Sequence, residues 1–205
     1  MNYDILISFI LATTALAFSP GPDNIYVLMQ SVAHGKKYGL ATVFGLISGC
    51  IVHTTLLAFG VSAIIKNSAS LFFTIKLLGA LYLLYLAYQV FRSPSDLTIS
   101  ERSVPKKSPG QLYKQGFIMN VLNPKVSIFF LAFFPGFLFS DTMSTVWQFY
   151  VLGFIFMGVS LIIFSVIAIL AGSISIYIKS HRKIGSILKW LQIVVFIGIA
   201  ILILM

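Results

Sequence analysis

The chain has 205 residues, 59% of them hydrophobic and 9% charged, with a formal net charge of +9. A soluble domain carries about a quarter of its residues as charges, so a water-soluble fold is excluded, and the length leaves room for one compact bundle with no soluble catalytic domain beside it. Apolar runs of about twenty residues recur along the chain, which predicts an all-α polytopic membrane protein whose first partner is the lipid bilayer.

The first predicted span runs from about Ile5 to Met29 and is interrupted by Ser19-Pro20-Gly21-Pro22-Asp23. In hydrocarbon that cluster is costly. An Asp at mid-span costs roughly 2.5–3.5 kcal/mol on insertion scales, and each freed backbone group needs a partner. Ala15-Leu16-Ala17 has the small-x-small form of a signal-peptidase site. The leading Met1-Asn2-Tyr3-Asp4 carries an acid and no Lys or Arg, so this end is expected to stay uncleaved.

A short polar connection, Ser31 to Tyr38, precedes the second span, about Leu40 to Ile65. Gly45, Gly49 and His53 share one face of it, four residues apart. The glycines form a small-xxx-small surface for a close helix neighbour, expected inside the protomer rather than in a dimer. His53 reads first as a hydrogen-bonded structural histidine and second as a proton carrier. Cys50, the single cysteine, excludes an internal disulfide or a two-thiol relay and reads as a small packing residue.

The third span covers about Leu71 to Phe91, with Lys76 near its outer end, either snorkelling to the interface or facing a substrate. The polar segment 92–113 reads as a flexible loop. Ser108-Pro109 suits the cap and first position of the helix that follows. The fourth span, about Tyr113 to Phe139, is broken at Asn123-Pro124-Lys125, with Asn120 one turn earlier. The fifth covers about Val146 to Ala171. A basic connection with Lys179, His181, Arg182 and Lys183 leads to the sixth, about Ile184 to Met205. Trp147 and Trp190 sit at predicted span ends, as interfacial anchors do.

Charge sets the orientation. The first, third and fifth connections hold two, five and four Lys or Arg, whereas the second and fourth hold only Lys66. The positive-inside rule makes the odd connections cytoplasmic and leaves both termini outside. The same rule accounts for the net charge, and no basic helix or aromatic-basic stripe marks a nucleic-acid partner.

The loop divides the chain into three spans (1–91) and three spans (114–205), with 92–113 as linker. An odd number per half inverts one half relative to the other. The first span of each half is the broken one, the pattern of inverted-repeat transporters. At the helical rise, each break lies about 15 Å in, near the middle of a ~30 Å core. New half-helices starting after Pro22 and Pro124 would attract a carboxylate. Unpaired carbonyls near Phe18 and Leu122 would attract a cation, with Asp23 adding to the cation side and Lys125 to the anion side. Such a site suits a zwitterion. The alternative is that Asp23 caps its half-helix and pairs with Lys125 as structural glue.

These residues also carry a family resemblance. Ser19-Pro20-Gly21-Pro22-Asp23, the glycines 35, 39, 45 and 49, and Lys76-Leu77-Leu78-Gly79-Ala80-Leu81-Tyr82-Leu83 belong to it. So do Gly116-Phe117, Asn120-Val121-Leu122-Asn123-Pro124-Lys125, Phe129-Phe130 and Phe134-Pro135. Along most of its length the chain resembles a LysE/RhtB-type amino-acid exporter. The resemblance implies six spans and proton-driven export of free amino acids or close relatives across the bacterial inner membrane, with no cofactor. The expected substrate-binding set is Ser19, Pro20, Gly21, Pro22, Asp23, Asn120, Asn123, Pro124, Lys125 and Lys76, with Asp23 and His53 as proton-coupling candidates. A homodimer is left open.

Two rival functions fit the residues less well. An intramembrane hydrolase would pair Ser48 with His53, but five helical residues separate them by about 140°. A metal-ion exporter would need several oxygen, nitrogen or sulfur ligands, whereas Asp23 is the one deeply placed acid and Lys125 would repel the ion.

Overall fold

Asn2 opens the first helix, its Oδ1 accepting the amides of Asp4 and Ile5 at 3.1 and 3.3 Å. That helix, α1 (Tyr3–Phe18), stops where Pro20 and Pro22 remove two amide donors. Ser19 and Gly21, each preceding a proline, are extended as that position favours. The chain restarts as α2 (Pro22–His34), bent 57° from α1. The computed structural model describes residues 2–94, 105–180 and 183–204.

Gly35, at φ +97°, turns the chain into α3 (Lys36–Leu56), which continues through a π-turn, Leu57–Val61, into α4 (Ser62–Asn67). Ser68 caps α5 (Ala69–Arg92) by accepting the Leu71 amide at 3.2 Å. After the linker, Ser108 and Gln111 form a reciprocal capping box, and Pro109 takes the first helical position of α6 (Pro109–Val121). A second break at Leu122 and Asn123 separates α6 from α7 (Pro124–Phe133). The 3₁₀ turn Phe134–Phe137 extends α7, and this arm is bent 51° from α6. The chain ends with α8 (Thr145–Ile169), α9 (Ala171–Ser180) and α10 (Lys183–Leu204).

The described residues are helical with no strand. Four stretches, Lys36–Ile65, Ala69–Arg92, Thr145–Ile169 and Ile184–Leu204, are long and apolar enough to cross a bilayer, and counting each bent pair as one span raises the number to six. Several boundaries differ from the sequence reading. The second and fourth segments begin earlier, at Lys36 and Pro109, because polar first turns hide from a hydropathy pattern. Residues 171–180, read as the approach to a basic connection, form α9, which packs beside α2. Asp96, Glu101 and Arg102 of the expected loop, with His181 and Arg182 of the basic connection, lie outside the described residues.

Packing follows residue size. A methyl on Gly45 would overlap the Tyr113 carbonyl, and one on Gly116 the Thr42 carbonyl, so α3 and α6 cross backbone to backbone. The small-residue face of the second span is used inside the protomer, against the arm that leads into the second break. Helices α5 and α10 pack together, and α1 lies against α8.

The apolar core is aromatic at the end of the bundle where the Asn2 amide bonds the Phe139 carbonyl at 2.8 Å. Phe129 stacks on Phe133 at 4.4 Å, Phe130 on Phe134 at 4.1 Å, and Phe9 meets Phe134 edge-on at 5.0 Å. Buried Gln148 holds the adjoining turn. Its Oε1 accepts the amides of Phe139 and Ser140, and its Nε2 donates to the carbonyls of Ser140 and Met143.

Candidate functional site

The two breaks meet. Asn123 Nδ2 donates to Asp23 Oδ2 at 3.2 Å, joining positions 100 residues apart. Asp23 is buried in the first turn of α2. Lys125, in the first turn of α7, acts on that carboxylate through its charge. Its Nζ lies over the Phe196 ring, 4.7 Å from the centroid, and 3.4 Å from where a Gly21 Cβ would stand.

The freed backbone groups find side chains. Asn24 Nδ2 donates to the Ala17 carbonyl at 2.8 Å and to that of Ser19 at 3.4 Å, tying the end of α1 to the start of α2. In the second break the Asn120 carbonyl would, in an unbroken helix, receive the amide of residue 124. Residue 124 is proline and has none. The Asn123 amide reaches that carbonyl at 3.0 Å, and His53 Nε2 lies 3.0 Å from it, donating as the NεH tautomer. His53 is buried, with its ring 5.5 Å from that of Phe130.

The two half-helix starts differ. No side chain caps α2, whereas Asn123 Oδ1 accepts the Lys125 amide at 3.1 Å and caps α7. Of the poles expected from the backbone alone, the start of α7 is therefore filled by Asn123, and last-turn carbonyls of both preceding helices are taken by Asn24 and His53. Local side chains reach these groups before a ligand could, because leaving them bare in an apolar core would cost about 1–3 kcal/mol each. Asp23 does not act as a cap. Its direct partner is Asn123, with Lys125 as a neighbouring charge.

A cavity of about 50 Å³ lies between the breaks. Its wall includes Ser19, Gly21, Pro22, Asp23, Asn120, Asn123 and Lys125 from the expected set. Pro20 and Pro124 shape the bends without lining it, and Lys76 and His53 also lie outside its wall. Lys76 is half-buried on α5, and His53 acts on the wall through the Asn120 backbone. The sequence reading missed Asn24, Cys50, Phe129, Phe156 and Ser160 as wall residues. Asn24 carried a signal, a carboxamide directly after the break. The others lie on apolar helices and gave none.

Ser19 Oγ and Asn120 Oδ1 are buried without a hydrogen-bond partner. Ser48 Oγ is engaged elsewhere, donating to the Phe44 carbonyl at 2.7 Å and accepting from Tyr113 Oη at 3.0 Å, so it is not paired with His53. A second cavity, of about 270 Å³, opens on the other side of Gly21 and Pro22, between Ser93 and Pro94 at the end of α5 and Lys189 and Gln192 near the start of α10. There Lys189 Nζ donates to the Ser93 carbonyl at 2.7 Å.

The chain is 28% identical over 189 residues to a homoserine/homoserine lactone efflux protein of Salmonella typhimurium, covering 92% of this chain and 91% of that one. The protein of the same description from Salmonella typhi matches to the same extent. An uncharacterized membrane protein of Vibrio cholerae is 29% identical over 181 residues, 88% of this chain and 87% of that one. No solved structure matches. The family model described as LysE type translocator matches residues 14–205, and the chain belongs to that family.

Proposed function

We propose that this protein is a secondary active exporter of free amino acids or close derivatives across the bacterial inner membrane, driven by protons. In this reading it has six spans in two inverted halves, both termini are periplasmic, and substrate binds between the two breaks. The observation that carries it is the junction of Asp23, Asn123 and Lys125, which brings both signs of charge to one buried cavity on two interrupted helices. Interrupted helices at matching places in two halves are how many transporters build a midplane site. The family membership and the efflux function in the relatives' descriptions support the same direction.

The geometry suggests how access alternates. A volume of about 50 Å³ holds water or a single small group, so a whole amino acid enters only when the arms separate. The larger cavity beyond Gly21 and Pro22 is then the approach from the cytoplasm, and Lys189 on Ser93 bridges its rim. On the far side Phe129 and Phe156 line the central cavity and join the phenylalanine cluster, which closes the periplasmic route. Asp23 is the foremost residue for exchanging a proton with the substrate, being the buried carboxylate in the wall.

Reconstituted vesicles test the proposal. Loaded with each of the twenty amino acids or with homoserine, they are expected to exchange at least one, faster when an inward proton gradient opposes its export path. Exchange of none of them, with the protein folded and inserted, would reject the export reading.

A further inference from the structure

We propose that the basic end of the seam between α5 and α10 binds the phosphate of an anionic phospholipid, with Arg92 and Lys189 as the two cations that hold it. The inference concerns the membrane rather than the cargo and stands whatever the protein exports. Both helices are long and apolar enough to cross a bilayer, and they pack together. Arg92 closes the last turn of α5, and Lys189 lies in the second turn of α10. By the positive-inside rule this end belongs to the cytoplasmic leaflet, which is the one rich in anionic headgroups.

Each cation is held in place. Lys189 Nζ donates to the Ser93 carbonyl at 2.7 Å and lies 5.8 Å from the centre of the Phe91 ring. Arg92 donates to Tyr88 Oη at 3.3 Å, with its guanidinium 5.9 Å from the centre of that ring. Residues 91–93 thus gather both positive heads at one helix end. Neither helix neutralises them, because α5 and α10 contain no Asp or Glu. An ammonium has three N–H donors and a guanidinium five, so one bond each leaves most of them open. Phosphate oxygens suit that set, taken by Arg through its planar fork and by Lys as a point charge.

The surface beneath the cations selects a lipid over a free phosphate. Trp190 is 53% exposed and meets Phe91 edge-on at 6.1 Å, and Phe91 and Tyr88 are each 55% exposed. Aromatic rings of this kind sit at the headgroup level of a bilayer. Farther into the span, Leu84 and Leu81 follow Tyr88 on one face of α5, and Val194 and Ile197 follow Trp190 on one face of α10. All four are exposed and form an apolar track for acyl chains. A soluble phosphate would use the two cations and leave this track bare. A phosphocholine headgroup brings its own cation, so the fitted occupant is a lipid whose phosphate is uncompensated.

The experiment reads the fluorescence of Trp190 in the full-length protein in vesicles, with Trp147, the other tryptophan, replaced by Phe. Brominated acyl chains quench a tryptophan they touch. The vesicles mix phosphatidylglycerol with phosphatidylcholine, with the bromine on one lipid or the other. About a tenfold preference for phosphatidylglycerol is expected at Trp190, the order that two cations near a membrane surface supply. Arg92→Gln with Lys189→Gln should bring the preference to about parity. Lys189→Gln also gives up the bond to Ser93, so Arg92→Gln alone is the second variant, expected to lose about threefold with an unchanged melting temperature. Lys36→Gln with Lys37→Gln removes the same charge from the first connection and should leave the preference as it was. Parity in the parent, or a full preference in Arg92→Gln, overturns the site. An equal loss in the Lys36 and Lys37 variant also overturns it, since the field of the whole basic face would then be the cause. Displacement of the lipid by millimolar inorganic phosphate overturns the lipid assignment. None of these outcomes involves transport, so the exporter reading stands or falls separately.

Discussion

Asp23 and Asn123 are hydrogen-bonded at 3.2 Å, and through that contact the interruption in one half of the chain is fastened to the interruption in the other. A neutral amide bonds the carboxylate, while Lys125 stands near enough to act on it through its charge, its Nζ lying over the Phe196 ring.

Replacing Asp23 by Asn keeps an oxygen for the Asn123 amide and removes the charge. The variant should insert and fold as the parent does. Its exchange should fall by about ten- to a hundredfold, the equivalent of losing one charge-assisted hydrogen bond to substrate. Counterflow in vesicles, with size-exclusion behaviour as the folding control, checks this.

His53 stands in for the amide that Pro124 lacks. His53→Gln keeps a donor and should retain most activity with an unchanged dependence on the proton gradient. His53→Leu removes one of the two donors to the Asn120 carbonyl and leaves the Asn123 amide, at a cost of about 0.5–1.5 kcal/mol, and should lower the melting temperature by a few degrees. Loss of gradient dependence in His53→Gln would make the imidazole a proton carrier instead.

Gly116→Ala would drive a methyl into the Thr42 carbonyl, and neither backbone can yield without parting α3 from α6. The expected loss is about 1–3 kcal/mol. Gly158→Ala, with nothing within 4 Å of the added carbon, should be neutral or stabilising by up to about 1 kcal/mol through helix propensity. Thermal unfolding of the two variants side by side measures the difference.

Cys50 is a natural reporter, being the single cysteine, buried, and part of the cavity wall. An impermeant maleimide should label it slowly in the resting protein. Phe129→Ala combined with Phe133→Ala removes one stacked pair above the cavity and should speed labelling several-fold from the side of the termini. Transported substrate should protect it. Labelling unaffected by either change would place the access route elsewhere.

The course of the helices, the two interruptions and the membrane class are local properties, and they could be read from residues 1–205 alone. Proline lacks an amide wherever it stands, and an apolar run seeks an apolar surround whatever its neighbours. The family likeness was legible for the same reason, since it lies in short motifs around those interruptions. What the folded chain decided is who meets whom. Asn123 rather than Lys125 bonds Asp23, Asn24 and His53 take the loose carbonyls, and Lys76 stays off the cavity wall. Such pairings depend on how two halves dock across a hundred residues of separation. Spacing along the chain cannot specify that docking, because a hydrogen bond forms only where two side chains arrive within about 3 Å of each other.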